Sequence, residues 1–227
     1  MPATGRHRDE MATLLLNKAH YPVTVLGPGR RIGLWLQGCS IRCKGCVSRD
    51  TWPRDGGRRI GVAALLDWCR KVAAAGCDGV TISGGEPFDQ PEALAALLDG
   101  LIAWRRADGT DFDLLAYSGY PEKTLRVRHA PLLARLDALI AEPYVDALAM
   151  DRLWRGSSNQ KLILLSELGR QRYAPYVDAP ATAGKRMQLS VEDGRLWLIG
   201  LPERGDMARL EALCQARGLD LAQASWR

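Results

Sequence analysis

The sequence contains no apolar run long enough to cross a bilayer. Its start, Met1-Pro2-Ala3-Thr4-Gly5-Arg6-His7, lacks the apolar stretch of a secretory signal. Internal repeats and low-complexity tracts are missing, and like charges never run much beyond a pair. The three histidines, His7, His20 and His129, stand apart from one another and from the cysteines. These absences exclude a helical membrane span, a repeat array and the paired Cys/His spacing of a zinc finger. The expected location is the cytoplasm, with neither membrane nor nucleic acid as partner. Lys and Arg number 31 against 26 Asp and Glu, a net charge of +5, which leaves room only for a basic groove facing an anionic ligand.

What is present is an ordinary globular balance, 47% hydrophobic and 25% charged over 227 residues. A chain of this length buries about 70% of the surface its unfolded form exposes, so it needs no disulfide or structural metal to hold a core. A metal bound here would serve function. The six cysteines, in a reducing compartment, read as thiols, metal ligands or catalytic groups.

Short apolar runs alternate with helical periodicity. A strand is expected at Val23 to Leu26, then a Gly27-Pro28-Gly29 turn and a buried strand from Ile32 to Gln37. Val62, Leu65, Leu66, Cys69, Val72 and Ala73 share a helix face that places Cys69 in the core, with Gly76 as its C-cap. Gly79 to Ser83, Phe112 to Tyr117 and Ala138 to Ala141 predict further strands, and Lys161 to Leu165 a fifth. Asp89, Pro91 and Glu92 open a helix whose Leu94, Leu97, Leu98, Leu101 and Ile102 share a face, and Glu122 to Leu136 is helical. Met187 to Val191 and Leu196 to Gly200 flank Glu192-Asp193-Gly194 as a hairpin, before a last helix from Asp206 to Arg217. The first ten residues and Asp178 to Arg186 look weakly structured. The fold class is α/β, with right-handed βαβ units and a parallel sheet, open or curled toward a barrel. The polar and glycine-rich motifs each follow a strand, so they converge on the carboxyl face, where parallel α/β folds bind ligands.

Cys39-Ser40-Ile41-Arg42-Cys43-Lys44-Gly45-Cys46 places three thiols on eight residues, enough to wrap one compact metal centre. A zinc site needs a fourth ligand and stays open if Cys69 or Cys77 folds in. A redox Cys-x-x-Cys leaves Cys39 unexplained. An iron–sulfur cubane on three cysteines keeps one iron open to a substrate or cofactor.

The Cys-x3-Cys-x-x-Cys spacing, followed after the next strand by Gly84-Gly85-Glu86-Pro87, resembles the radical S-adenosylmethionine (SAM) superfamily. Several further segments narrow the resemblance to the activating proteins of glycyl-radical enzymes, nearest to those of anaerobic ribonucleotide reductase. These are Tyr21-Pro22-Val23, Gln37-Gly38-Cys39, Thr51-Trp52, Ser118-Gly119-Tyr120 and Trp154-Arg155-Gly156-Ser157-Ser158-Asn159-Gln160. It implies a partial (β/α) barrel: a flexible segment over 1–20, a radical SAM core over 21–160, and an extension over 161–227 that completes or caps it. It also implies that Cys39, Cys43 and Cys46 bind three irons of a [4Fe-4S] cluster. The cofactor SAM chelates the fourth iron and is cleaved reductively to a 5′-deoxyadenosyl radical. Gly84 and Gly85 let the backbone approach SAM, Glu86 faces its ammonium, and Ser118, Arg155 and Asn159 reach its carboxylate or another anion. The implied partners are a glycyl-radical enzyme, threading a peptide loop into an uncovered mouth, and a flavodoxin- or ferredoxin-like reductant. Arg30, Arg31, Arg42 and Lys44 read as charges flanking the site. Where the family has an aromatic residue and an asparagine after the third cysteine, this sequence has Val47 and Ser48. Other readings are radical modification of a peptide or small molecule, a non-catalytic iron–sulfur electron carrier, and a zinc-organised interaction module.

Overall fold

The computed structural model describes residues 12–184, 187–192, 195–219, 221 and 224–226. In chain order the strands are β1 (Thr13–Val23), β2 (Arg31–Leu36), β3 (Arg58–Gly61), β4 (Gly79–Gly84), β5 (Asp113–Tyr117) and β6 (Ala138–Ala141). They continue with β7 (Ala149–Arg152), β8 (Arg155–Ser157), β9 (Lys161–Leu164), β10 (Met187–Glu192) and β11 (Arg195–Gly200). The helices are α1 (Val62–Ala73), α2 (Pro91–Ala107), α3 (Glu122–Arg128), α4 (Ala130–Leu133), α5 (Glu167–Tyr173) and α6 (Asp206–Gln215).

Seven strands form one sheet in the order β3-β1-β2-β4-β5-β6-β9. Its centre, β2-β4-β5-β6, is parallel, while β1 runs antiparallel to β2 and β3, and β9 antiparallel to β6. The sheet is mixed, with a parallel middle and antiparallel margins, and no closed barrel forms among the described residues. All six residues of β2 are buried, as a central strand covered on both faces requires. On one face Ile32, Leu34, Leu36, Val80, Ile82, Leu114 and Ala116 pack against Leu65, Leu66 and Cys69 of α1 and Leu94, Leu97, Leu98 and Leu101 of α2. Each such leucine, fully withdrawn from water, contributes about 1.5–3 kcal/mol before entropy is subtracted. The other face carries two smaller clusters. Leu115, Ala138 and Ile140 meet Leu153, Trp154 and Tyr173, while Val23, Val25, Leu26 and Trp35 meet Ile199 of the β10–β11 hairpin. The C-terminal elements thus pack on the sheet face that α1 and α2 leave free.

Four expectations change. The first strand begins at Thr13, within the stretch expected to be flexible, because Leu14 and Leu16 bury on the α-helical side of the sheet; it ends at Val23, and the residues from Val25 to Arg30 form a bend instead of a strand. The Lys161 strand pairs antiparallel, since a short connection through β7 and β8 replaces a crossover helix. The helix expected over Glu122 to Leu136 breaks at His129, because Pro131 has no N–H to donate to Val127 O and its ring would clash with that carbonyl in a continuous helix. Asp193 and Gly194 of the hairpin turn lie outside the described residues, as do residues 1–11.

Arg31 corrects the fourth. It does not flank the cysteine loop; it begins β2 at the opposite end of the parallel strands and is fully buried. Its guanidinium donates to Asp113 Oδ1 at 2.6 Å, Asp113 Oδ2 at 3.1 Å, Thr81 Oγ1 at 2.7 Å and Val80 O at 3.1 Å. Tyr173 and Arg172 of α5 complete the shell of Asp113. Burial alone would raise the Asp113 pKa, but the Arg31 charge and these donors prevail and hold it below the usual aspartate value.

Candidate metal centre

The cysteine loop leaves the end of β2 and is closed at its base by backbone pairing. Gly38 N–H donates to Thr51 O at 2.7 Å and Cys39 N–H to Trp52 O at 3.1 Å. Gln37 fastens the returning arm, donating through Nε2 to Asp50 O at 3.0 Å and Pro53 O at 2.5 Å, while Gln90 Nε2 holds Gln37 O at 3.0 Å. Within the loop Cys46 N–H reaches Cys43 O at 3.2 Å, and the chain turns through left-handed conformations at Arg42 (φ 52°) and Gly45 (φ 82°). Arg42 adopts this conformation at a cost of about 1–2 kcal/mol.

Each sulfur meets backbone N–H groups. Ser48 N–H donates to Cys46 Sγ at 3.4 Å, Ile41 and Arg42 N–H face Cys39, and Tyr144 N–H faces Cys43. Such donors stabilise thiolate and cluster sulfur. Burial is the larger effect and pushes the Cys39 and Cys43 thiols up, with the neighbouring Cys46 and Glu86 charges adding to it. A bound metal would displace those protons.

The Gly84-Gly85-Glu86-Pro87 turn lies on this loop. Gly85 N–H donates to Leu36 O and Glu86 N–H to Gly38 O, both at 2.8 Å. A Cβ on Gly85 would stand 2.1 Å from Gly38 O, and Gly84 sits at φ 101°. The close approach these glycines allow is therefore one of the protein's own backbone to itself. Glu86 is 1% exposed, its Oε1 accepting from Phe88 N–H at 3.1 Å and Ser118 Oγ at 2.9 Å, its Oε2 from Gly119 N–H at 2.8 Å. Burial prevails over these three donors and pushes its pKa up to about 7. Of the roughly four acceptor positions of a carboxylate, one on Oε2 is left. Ser118 accordingly acts on Glu86, with its proton directed there.

Asp89 was expected to open α2, but Gln90 takes the cap position and the Asp89 carboxylate turns to the cysteine loop. It accepts Ser40 N–H at 2.8 Å, Ser40 Oγ at 3.0 Å and Tyr120 O–H at 2.8 Å. Sequence reasoning missed it because Asp-x-Pro before an apolar helix is also an ordinary start signal.

The last wall is the turn after β6 with the segment after β8. Asn159 Nδ2 donates to Pro143 O at 2.7 Å and Gln160 Nε2 to Glu142 O at 3.1 Å, holding the stretch that carries Tyr144. Asn159 Oδ1 and Trp52 Nε1 are buried without a hydrogen-bond partner among the described residues, an acceptor and a donor with capacity to spare. Arg155 is not among these groups: its buried guanidinium donates to Leu153 O and Tyr176 O in the Trp154 cluster.

The other cysteines stand elsewhere. Cys69 is in the core of α1, Cys77 donates to Gly79 O at the start of β4, away from the loop at the strand ends, and Cys214 is on α6. Among the described residues no three His, Cys, Asp or Glu side chains stand close enough to hold a single ion. No described helix is long and apolar enough to cross a membrane. Three sulfurs with backbone donors, no fourth cysteine at the loop, and an unmatched buried acceptor at Asn159 fit a cluster with one open position.

The family model described as "4Fe-4S single cluster domain" matches residues 25–163. Three similar proteins carry the name anaerobic ribonucleoside-triphosphate reductase-activating protein. That of Enterobacteria phage T4 is 30% identical over 138 residues, covering 61% of this chain and 86% of its own. Those of Vibrio cholerae and Escherichia coli K12 are 33% and 29% identical over 150 and 145 residues, covering 62% of this chain and 92% and 93% of their own. Little of their length remains outside the match, whereas this chain carries 164–227 beyond the family region.

Proposed function

The chain belongs to the family of the 4Fe-4S single cluster domain, and from that premise we propose that it is a radical SAM activase that installs a glycyl radical on a partner enzyme. The observation that carries this reading is the seating of Glu86 on the cysteine loop through its N–H bond to Gly38 O, which makes Glu86 an electrostatic neighbour of Cys39 and Cys43. Cys39, Cys43 and Cys46 would hold three irons of the cluster. When bound, the cluster and SAM supply reductive cleavage of a carbon–sulfur bond and a 5′-deoxyadenosyl radical able to take hydrogen from a glycine Cα.

This chain's residues bind and orient. The free Oε2 position of Glu86 and the unmatched Oδ1 of Asn159 are acceptors suited to the SAM ammonium. Ser118 and Gly119 fix the Glu86 carboxylate against rotation, while the backbone of Gly84 and Gly85 lies along the same wall. Asp89, through Ser40 and Tyr120, holds the first arm of the loop against the turn after β5. The sheet supports the partial (β/α) barrel of the superfamily, with its carboxyl-end turns at the mouth. The names of the similar proteins support anaerobic ribonucleoside-triphosphate reductase as the partner. The electron donor in this proposal is a flavodoxin- or ferredoxin-like protein, as the resemblance implies.

The test is made on protein reconstituted with iron and sulfide without oxygen. Iron content and 5′-deoxyadenosine formed from SAM under a strong one-electron reductant are compared with the Cys39, Cys43, Cys46→Ala triple variant. A glycyl radical signal is then sought on an added anaerobic reductase. The expected result is nucleoside formation by the wild type alone, with radical transfer to the reductase. Iron bound without SAM cleavage, with or without the reductase, overturns the radical SAM reading.

A further inference from the structure

The segment that follows the third cysteine is held from two sides. From the sheet, Gln37 and Lys18 reach it: Gln37 Nε2 donates to Asp50 O at 3.0 Å and Lys18 Nζ lies 2.6 Å from Asp50 Oδ2. Within it, Thr51 Oγ1 donates to Ser48 O at 2.6 Å. From the other side comes the far end of the chain. Ser225 Oγ donates to Val47 O at 2.9 Å across a separation of 178 residues, and Asp50 N–H donates to Ser225 O at 3.1 Å. One residue of the C-terminal tail thus takes both a backbone acceptor and a backbone donor of 47–50.

The tail is itself anchored. Trp226 Nε1 donates to Glu211 Oε1 of α6 at 2.7 Å, and ahead of α6 Arg204 lies 3.6 Å from Asp146 in the turn beside Gly45. The Arg204 pair is exposed and weak on its own. The hairpin before it is fixed to the sheet, with Ile199 buried, the Trp197 ring tilted against His20 at a centroid distance of 4.9 Å, and Gln188 bonded to Thr24 N–H at 2.9 Å and Pro22 O at 2.7 Å. The extension is therefore tied both to the sheet and to the loop.

We propose that the C-terminal extension is a built-in clamp on the cysteine loop, with Ser225 as the positioning residue that holds 47–50 closed over Cys46 and restricts access to its sulfur. It occupies the stretch where Val47 and Ser48 replace the larger residues of the resemblance. The proposal rests on reading the loop as the cluster's seat, but it is tested on metal-free protein, so that its failure and that of the proposed activity are separate results.

Wild type, Ser225→Ala and Ser225→Asp are alkylated with iodoacetamide as apo-proteins, and the rate at each cysteine is read by peptide mass mapping. Ser225→Ala deletes the bond to Val47 O, and Ser225→Asp sets a carboxylate against that carbonyl. Buried Cys69 reports global opening. The expected result is about a fivefold faster modification of Cys46 in Ser225→Ala, the factor one hydrogen bond represents, and more in Ser225→Asp, with Cys69 unmodified. An unchanged Cys46 rate in both variants, or a rise shared equally by Cys69, overturns the clamp.

Discussion

Ser118 donates its hydroxyl to Glu86 Oε1 at 2.9 Å, joining the turn after β4 to the turn after β5 through a carboxylate that water does not reach. With Gly119 N–H on Oε2 and Phe88 N–H on Oε1, that carboxylate ties together two of the turns that face the cysteine loop. Three donors and deep burial oppose each other at one group, and burial prevails.

Glu86 therefore gives the apo-protein a specific pH dependence. Its folded pKa, about 7, lies above the ordinary glutamate value of 4.5, so between these values the native state binds more protons than the unfolded one. Stability from this group falls as pH rises through that window and is level above it, by an amount of about 3 kcal/mol at about 1.4 kcal/mol per unit. Glu86→Gln removes the slope. Melting temperatures of wild type and Glu86→Gln from pH 4.5 to 8 check this; parallel curves would show that Glu86 is ionised throughout.

At Gly85 the obstacle is backbone against backbone. A Cβ 2.1 Å from Gly38 O finds no flexible side chain to move aside, so Gly85→Ala must lift the turn from the cysteine loop. A loss of about 2 kcal/mol or more is expected, together with iron retention well below that of wild type. Gly61→Ala, where nothing lies within 4 Å of the added carbon, is the control: Gly61 is the N-cap of α1, so a cost of about 1 kcal/mol at most is expected, without loss of iron retention. Denaturant unfolding and iron content after reconstitution measure both.

Asp113→Asn tests the opposite end of the sheet. It leaves the fully buried Arg31 guanidinium without its anion, an uncompensated charge costing about 3–5 kcal/mol. The wild-type Asp113 pKa is lowered, so its contribution is present above about pH 3.8 and is lost as pH falls below it. At pH 7 the variant's unfolding midpoint should drop strongly, while iron per folded chain stays near wild type because the pair stands at the strand ends away from the loop. A proportional loss of iron would link the two ends.

Much of this protein is legible locally. The helical stripe from Val62 to Cys69 packs in the core, and the apolar runs at 79, 113 and 138 are parallel strands. The glycine-rich turn after β4 and the cysteine triplet after β2 lie together, because in a parallel sheet neighbouring strands end on the same side. Asp89 reads wrongly as a helix start since that pattern is local, whereas its partners Ser40 and Tyr120 are 49 and 31 residues away. Arg31 reads wrongly as a loop charge for the same reason: its anion is 82 residues on.

By itself the sequence determined the α/β rhythm and the crowding of three thiols on one loop after a strand, because periodicity and residue spacing act over a few residues. Tertiary structure alone decided the antiparallel margins of the sheet, the capture of Glu86 by Ser118 and Gly119, the burial of Arg31 on Asp113, and the return of Ser225 to Val47. Such pairings are set by strand register and by the desolvation of groups that meet only after the chain has folded, and no local pattern encodes which distant partner will satisfy them.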